Sequence, residues 1–442
     1  MSNFLIALIS VTVGLGVMIF LHEWGHFVAA KLCGVRVDVF SLGFGTRIWG
    51  FKRGDTDYRL SALPLGGYVR MAGDNPLEER TGEAYEFLSQ PRWKRFLIAI
   101  AGPFMNILLT FILFWGIFWF AGVPTPGYLR QSPVVAALPQ YAPVIPGLAV
   151  GDRIVSVNGV ATPSWNKANA AAAKVPPGGK IQLVISRNGV DQTLAGTFSQ
   201  KSDIYSLLGY PMVPPVIDEI AIGFPADRAG LKSGDTFIAI DGKPVATWPV
   251  LVDAVHHSGG EPIAFTVRRG TQDIPITVTP TKGMDPVDGQ MVWQVGVQPR
   301  TKDDYENQNF TESVADAGLS TVNGTAQILD VLGGLLTGKV SVRQLQGVVG
   351  IARESGRAAK RGPMDLITLM AVLSLNLGIL NLLPIPILDG GHVLLLAVEG
   401  LLRRDLSIAV KERFVQVGLV FLLGIFAFVM YSDILKIFQS HH

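Results

Sequence analysis

His22, Glu23 and His26 stand together in FLHEWGHFVAAKLCGV, residues 20 to 35, and their spacing is that of H-E-x-x-H. Histidines four positions apart on a helix lie one above the other, with Cβ atoms about 5–6 Å apart. Both imidazoles can then reach one divalent ion at about 2.0–2.1 Å. Glu23 projects from the adjacent edge of the same face, where it can take a proton from water on that ion. Zinc lowers the pKa of such a water to about 7, so the pattern predicts zinc-dependent hydrolysis with Glu23 as base. The competing reading is a chance pair of histidines snorkelling at a membrane interface.

That interface is implied by what precedes the motif. Phe4 to Leu21 carries no charge and is long enough to enter a hydrocarbon core of about 30 Å. Ionisable groups at membrane depth cost about 2.5–3.5 kcal/mol each even on mild scales, so they need a partner or a task. Three further apolar stretches follow: Phe96–Val123, Ile367–Leu388 and Phe414–Tyr431. Over 442 residues, 49% are hydrophobic and 16% charged, against a usual charged share of about 25%. The first stretch lacks a basic leader and an A-x-A-like cleavage site, so it reads as a mature span. A net charge of +2 excludes a polyanion-driven function, and no nucleic-acid partner is expected. Cys33 is the single cysteine, so no internal disulfide forms.

A catalytic zinc usually has three protein ligands plus water, and nothing suitable follows Lys31 at helical spacing. A candidate lies in NLGILNLLPIPILDGGH, Asn376 to His392, where Pro384 and Pro386 break the third span before Asp389-Gly390-Gly391. Irregular backbone at membrane depth survives only against protein or a water-filled cavity, which makes Asp389 a functional-site candidate. Its competing role is to cap a helix beginning at Gly390. His392 is the rival third ligand.

Between the second and third spans lies a long polar insertion containing a repeat. PGLAVGDRIVSVNGVATPSW, from Pro146, matches AGLKSGDTFIAIDGKPVATW, from Ala229, at an offset of 83 residues. IQLVISRNG, from Ile181, similarly matches IAFTVRRG, from Ile263. Two copies imply two small domains. The alternation in RIVSVNG and TFIAIDG predicts strands ending in Asn-Gly and Asp-Gly turns. Each copy resembles a PDZ domain of the bacterial, protease-associated kind, which binds extended peptides at a sheet edge; the alternative is a structural spacer.

With the H-E-x-x-H in a first span, a later L-D-G and PDZ-like repeats between them, the chain resembles the site-2 protease family of intramembrane zinc metalloproteases along nearly its whole length. That resemblance implies that His22, His26 and Asp389 bind Zn²⁺ and that Glu23 is the general base. It also implies a membrane re-entrant β-hairpin within YRLSALPLGGYVRMAG, Tyr58–Gly73, with short strands around Pro64, Gly66 and Gly67. Gly66 and Gly67, with Asn376 and Asn381 in the third span, are the implied substrate-binding positions. Interhelical hydrogen bonding is the competing role for the asparagines, and an ordinary cytoplasmic hairpin the competing reading of the loop. GPFMN, Gly102 to Asn106, reads as a helix-packing signal without a catalytic role.

The expected fold is a multi-domain membrane protein: an α-helical core of four spans with a re-entrant β-hairpin and two inserted, mostly-β PDZ domains. Its parts are residues 1–123 (N-terminal membrane half), 124–210 and 211–300 (the PDZ pair), 301–362 (linker and juxtamembrane amphipathic segment) and 363–442 (C-terminal membrane half). Lysines and arginines crowd residues 31–95 and 403–413, which puts those loops in the cytoplasm and the insertion in the periplasm of a bacterial inner membrane. Arg353, Arg357, Lys360 and Arg361 argue the other way. The expected activity is endoproteolysis inside single-span membrane proteins, anti-sigma factors or remnant signal peptides, with the lipid bilayer and PDZ-bound peptides as further partners. A membrane-anchored PDZ scaffold with a structural or vestigial metal site is the alternative. No function is assigned to the terminal His441 and His442.

Overall fold

The computed structural model describes residues 2–75, 81–141, 144–176, 178–197, 204–221, 223–284, 291–301, 303–338 and 347–439. His441, His442 and positions 339–346 of the juxtamembrane segment lie outside the described residues. The chain divides into two compact units, Met1–Gly122 with Asn307–Leu435, and one built on Val123–Glu306.

In the first unit, α1 (Ser2–Leu32) carries the opening apolar stretch and continues without a break through the histidine motif. It is followed by two long antiparallel strands, β1 (Val37–Arg53) and β2 (Thr56–Met71), and by α2 (Arg92–Phe120). The β segment differs from the sequence expectation. Its tight turn is Gly54-Asp55, with Arg53 paired to Thr56, and Tyr58–Gly73 does not form a separate hairpin around Pro64. Each strand instead bends midway and pairs twice: Leu42 is matched by Leu60 on one side and Gly67 on the other. Gly43 (φ +90°), Gly45 (φ +85°) and Gly66 (φ +132°) supply those bends. The glycines that interrupt the alternation in VFSLGFGTRIWGF hid the first strand.

The second unit opens with β3 (Val123–Pro126), which pairs with β16 (Asp303–Glu306) where the chain leaves the unit. The first repeat holds β4 (Arg153–Val157), β5 (Val160–Ala161), α3 (Trp165–Ala172), β6 (Lys180–Arg187), β7 (Val190–Thr197) and the single turn α4 (Ile204–Leu207). The second holds β8 (Ile217–Ile220), α5 (Pro225–Arg228), β9 (Thr236–Ile240), β10 (Lys243–Pro244), α6 (Trp248–His256), β11 (Ile263–Arg269) and β12 (Gln272–Val278), then β13 (Thr281–Met284), β14 (Met291–Gln294) and β15 (Val297–Pro299). The sheets have equivalent orders, β5-β4-β6-β7 and β10-β9-β11-β12. The two predicted turns are of the mirror-image type that hairpins favour: Asn158 and Asp241 both have φ of +47° and precede a positive-φ glycine, and Asn188 (φ +50°) before Gly189 makes a third that was not predicted.

An ion pair is duplicated along with the strands. Arg187 reaches Asp152 through Nε and Nη2, both at 2.7 Å, and Arg269 reaches Asp235 in the same way at 2.7 Å. Both carboxylates are buried and also accept a backbone amide, from Ala149 and Lys232. The repeats are tied together by Asp253 of α6, which accepts the Gln140 amide at 3.1 Å, while Tyr141 stacks on His257.

The chain returns to the first unit as α7 (Phe310–Leu336), α8 (Val348–Arg361), α9 (Pro363–Asn381), α10 (Asp389–Leu402) and α11 (Ile408–Gln439). Among the described residues three helices are long and apolar enough to cross a membrane: Thr12–Leu32, Arg92–Phe120 and Pro363–Asn381. The basic cluster of α8 is partly neutralised, since Arg357 and Arg361 lie 3.5 and 3.3 Å from Glu354. The side chains of Arg353 and Lys360 lie outside the described residues.

Hydrogen bonds from Arg187, aided by the Ala149 amide and opposed by burial, hold the Asp152 carboxyl below its usual range. A folded-state pKa below the unfolded value of about 3.9 contributes stability at neutral pH that is lost as pH falls through the folded value. Asp152→Asn is therefore expected to cost about 1–3 kcal/mol at pH 7 and to flatten the loss of stability in acid. Hydrogen exchange of β4 and β6 in the full chain between pH 7 and pH 3 checks this, and an unchanged acid response contradicts it.

Candidate active site

The third apolar stretch does not run to Leu388 as one helix. α9 stops at Asn381, residues 382–388 form a tight turn through Pro384 and Pro386, and α10 starts at Asp389 itself. Leu388 is the N-cap, so Asp389 lies within the first helical turn and its carboxylate is not spent on capping. Ile387 sits at φ +84°, a left-handed conformation that costs a β-branched residue about 1–3 kcal/mol and clusters at functional sites. Gly390 and Gly391 let α10 tuck against that turn: an added Cβ would lie 2.1 Å from the Leu383 carbonyl oxygen or 2.4 Å from that of Ile385.

This turn delivers Asp389 to the two histidines of α1. His22 Nε2 lies 3.1 Å from Asp389 Oδ2, His26 Nε2 lies 3.3 Å from Asp389 Oδ1, and the two Nε2 atoms are 3.3 Å apart. Four donors around zinc at about 2.0–2.1 Å have tetrahedral edges of about 3.3–3.4 Å. The observed spacings fit that figure, and the donor atoms all lie within 4.8 Å of one another. The imidazoles are buried and T-shaped to each other. His26 Nδ1 faces the Ile98 carbonyl at 2.7 Å. A carbonyl only accepts, so Nδ1 carries the proton and Nε2 keeps its lone pair.

The remaining sequence candidates divide. Glu23, Gly66, Gly67, Asn381 and His392 all line a cavity of about 550 Å³ together with the His–Asp cluster. Glu23 packs against β2, where a Cβ on Gly67 would lie 2.9 Å from its Cγ. On Gly66 a Cβ would lie 2.1 Å from the Phe44 ring. Asn376 is not in the cavity wall and donates from Nδ2 to the Val372 carbonyl of its own helix. His392 borders the cavity without belonging to the three-residue cluster that could hold a metal.

One residue of the site was missed. Asn106 of α2, fully buried, places Nδ2 3.1 Å from His22 Nδ1. The sequence signal existed: an amide inside a span is the kind of polar group that demands a partner. Gly102, read as a packing glycine, faces the site directly, since a Cβ there would lie 2.3 Å from His26 Nε2.

A model of peptidase family M50 matches residues 10–425. The chain belongs to peptidase family M50. Similar proteins include "Regulator of sigma-E protease RseP" of Escherichia coli, 30% identical over 460 residues, covering 98% of this chain and 99% of that one. "Protease RseP" of Yersinia pestis is 31% identical over 457 residues, with 98% and 99% covered. A Vibrio cholerae protein named "Putative zinc metalloprotease" is 31% identical over 466 residues, with 99% and 100% covered. As an M50 peptidase with membrane-length helices, the chain is an intramembrane metalloprotease of the site-2 type.

The close approach of Gly102 to His26 makes the His–Asp cluster sensitive to a single methyl group. Gly102→Ala is expected to weaken zinc retention about tenfold or more, whereas Gly116→Ala in the same helix, with nothing within 4 Å, leaves it unchanged. Competition with a chromogenic chelator measures both; equal retention in the two variants contradicts the geometry.

Proposed function

We propose that His22, His26 and Asp389 hold one zinc ion and that Glu23 is the general base for peptide-bond hydrolysis within transmembrane segments of single-span membrane proteins. The observation that carries this reading is the meeting of two α1 imidazoles with the first carboxylate of α10 beside Glu23. Bound zinc supplies a Lewis acid for the scissile carbonyl and a water with a pKa near about 7. Glu23 takes the proton from the attacking water and passes it to the departing amide nitrogen. A scaffold with a structural metal site would leave Glu23 and the open cavity without a role.

A transmembrane helix must be unwound before its peptide bonds can be attacked, because its backbone groups are already paired. The stretch of β2 from Gly67 to Met71 pairs with β1 on one side and, with Gly66, borders the cavity. An extended substrate can add to that edge, gaining backbone partners to replace those of its helix. Gly66 and Gly67 keep the edge clear of side chains, and the Asn381 amide, which lines the cavity, serves exposed substrate carbonyls; Asn376 would join it only on releasing the Val372 carbonyl of its own helix. This assigns the β1–β2 segment to the membrane as a re-entrant element.

The finer architecture follows the same reading. Four spans, with α11 as the fourth, put the basic connections within 31–95 and 403–413 on the cytoplasmic side, from which β1–β2 re-enters the membrane, and the two repeats in the periplasm of a bacterial inner membrane. The repeats act as PDZ domains that recruit or filter substrates already trimmed by another protease. The relatives named regulators of sigma-E protease support an anti-sigma factor as one substrate class, with remnant signal peptides as another.

Glu23→Gln is expected to keep zinc and lose at least about 100-fold in cleavage of a model transmembrane substrate. Chelation of the unaltered protein should abolish cleavage and added zinc restore it. Cleavage at the parental rate by either preparation would sink the proposal.

A further inference from the structure

The side chain of Asn106 is enclosed by the elements that build the site. It is fully buried, its Nδ2 is 3.1 Å from His22 Nδ1, and its Oδ1 is buried with no hydrogen-bond partner. Its backbone carbonyl is also occupied, accepting from Thr110 Oγ1 at 3.0 Å and from Ser374 Oγ of α9 at 2.9 Å. Gly378 of α9 packs on it so closely that a Cβ would lie 3.3 Å from the Asn106 Cβ. The helix backbone at this point is therefore fixed, while the amide retains one freedom, a half-turn exchanging Oδ1 and Nδ2.

That half-turn decides which nitrogen of His22 carries a proton. With Nδ2 toward the ring, the amide donates to Nδ1, so the proton of neutral His22 sits on Nε2 and is shared with Asp389 Oδ2 at 3.1 Å. With Oδ1 toward the ring, the amide accepts from Nδ1–H and leaves the Nε2 lone pair free. Only the second state suits a metal ligand, and the two orientations are chemically distinct although their heavy-atom shapes are nearly the same. His26 needs no such device, because the Ile98 carbonyl fixes its tautomer permanently.

Resting on the ligand set proposed above, we infer that Asn106 is a positioning residue whose buried side-chain amide, 3.1 Å from His22 Nδ1, selects the metal-binding tautomer of His22. Partners of this kind, behind a ligating histidine, typically contribute 10–100-fold to metal affinity. A carboxylate at this position can only accept, so it would hold the metal-binding tautomer constantly.

Zinc affinity of the full chain in detergent, by chelator competition, tests this with Asn106→Leu, Asn106→Asp, His22→Ala and Asp389→Ala. Asn106→Leu should bind about 10–100-fold more weakly, while Asn106→Asp binds within about threefold of the parent or more tightly. A role in packing alone would spare the near-isosteric Leu and penalise the buried charge of Asp, the reverse order, and would overturn the inference. Retained zinc in His22→Ala and Asp389→Ala would instead overturn the ligand set itself. The unaltered protein gives a second measurement should a variant fail to fold. In ¹⁵N-histidine spectra of the zinc-loaded chain, both metal-shifted rings should carry the proton on Nδ1, and a metal-shifted Nδ1 contradicts the inference.

Discussion

Everything in the membrane unit is arranged around one contact: the two imidazoles of α1 meeting the carboxylate at the start of α10. Three ionisable groups inside apolar helices cost several kcal/mol in lipid, and they are tolerated because each faces another. The unit supplies what the cluster needs on every side. Ile98 and Asn106 of α2 hold the outer nitrogens, and the turn before Asp389 brings its carboxylate within 3.3 Å of both rings. Glu23 and the edge of β2 line the cavity that opens beside the cluster.

Close approach of backbones is the structural means to that end. Between α1 and α2 there is no room for a Cβ at Gly25, which would lie 2.3 Å from the Ala101 carbonyl oxygen, or at Gly102 against His26. Gly418 of α11 performs the same service for Pro386, whose turn presents Asp389; a Cβ there would lie 2.1 Å from the proline ring. Small residues at helix contacts are how membrane proteins gain packing when lipid removes the hydrophobic drive. The strained φ at Ile387 is held in place by this packing and sits two residues before the carboxylate.

The parts legible in sequence were those governed by local rules. The i, i+4 histidines could be read because helix geometry alone brings them together, and the hairpins of the two repeats because Asn-Gly and Asp-Gly encode positive φ. Asp389 was legible as a polar residue at a proline break, although its distance from His22 depends on tertiary packing. Two features resisted. The β1 strand was obscured by glycines that serve as bends, so the hairpin was placed one strand too late. Asn106 was visible as a polar residue in a span, but nothing local tells an amide that orients a ligand from one that joins two helices. The same ambiguity applied to Asn376, which bonds within its own helix, and Asn381, which reaches the cavity.

X-ray absorption at the zinc edge of the purified full chain tests the central contact most directly. The account predicts one zinc per chain, with two imidazole nitrogens at about 2.0–2.1 Å, oxygen as the remaining donors and no sulfur. A shell containing sulfur, which would bring in Cys33 or a methionine, or three imidazoles, which would bring in His392, would contradict it, as would a chain that holds no zinc at all.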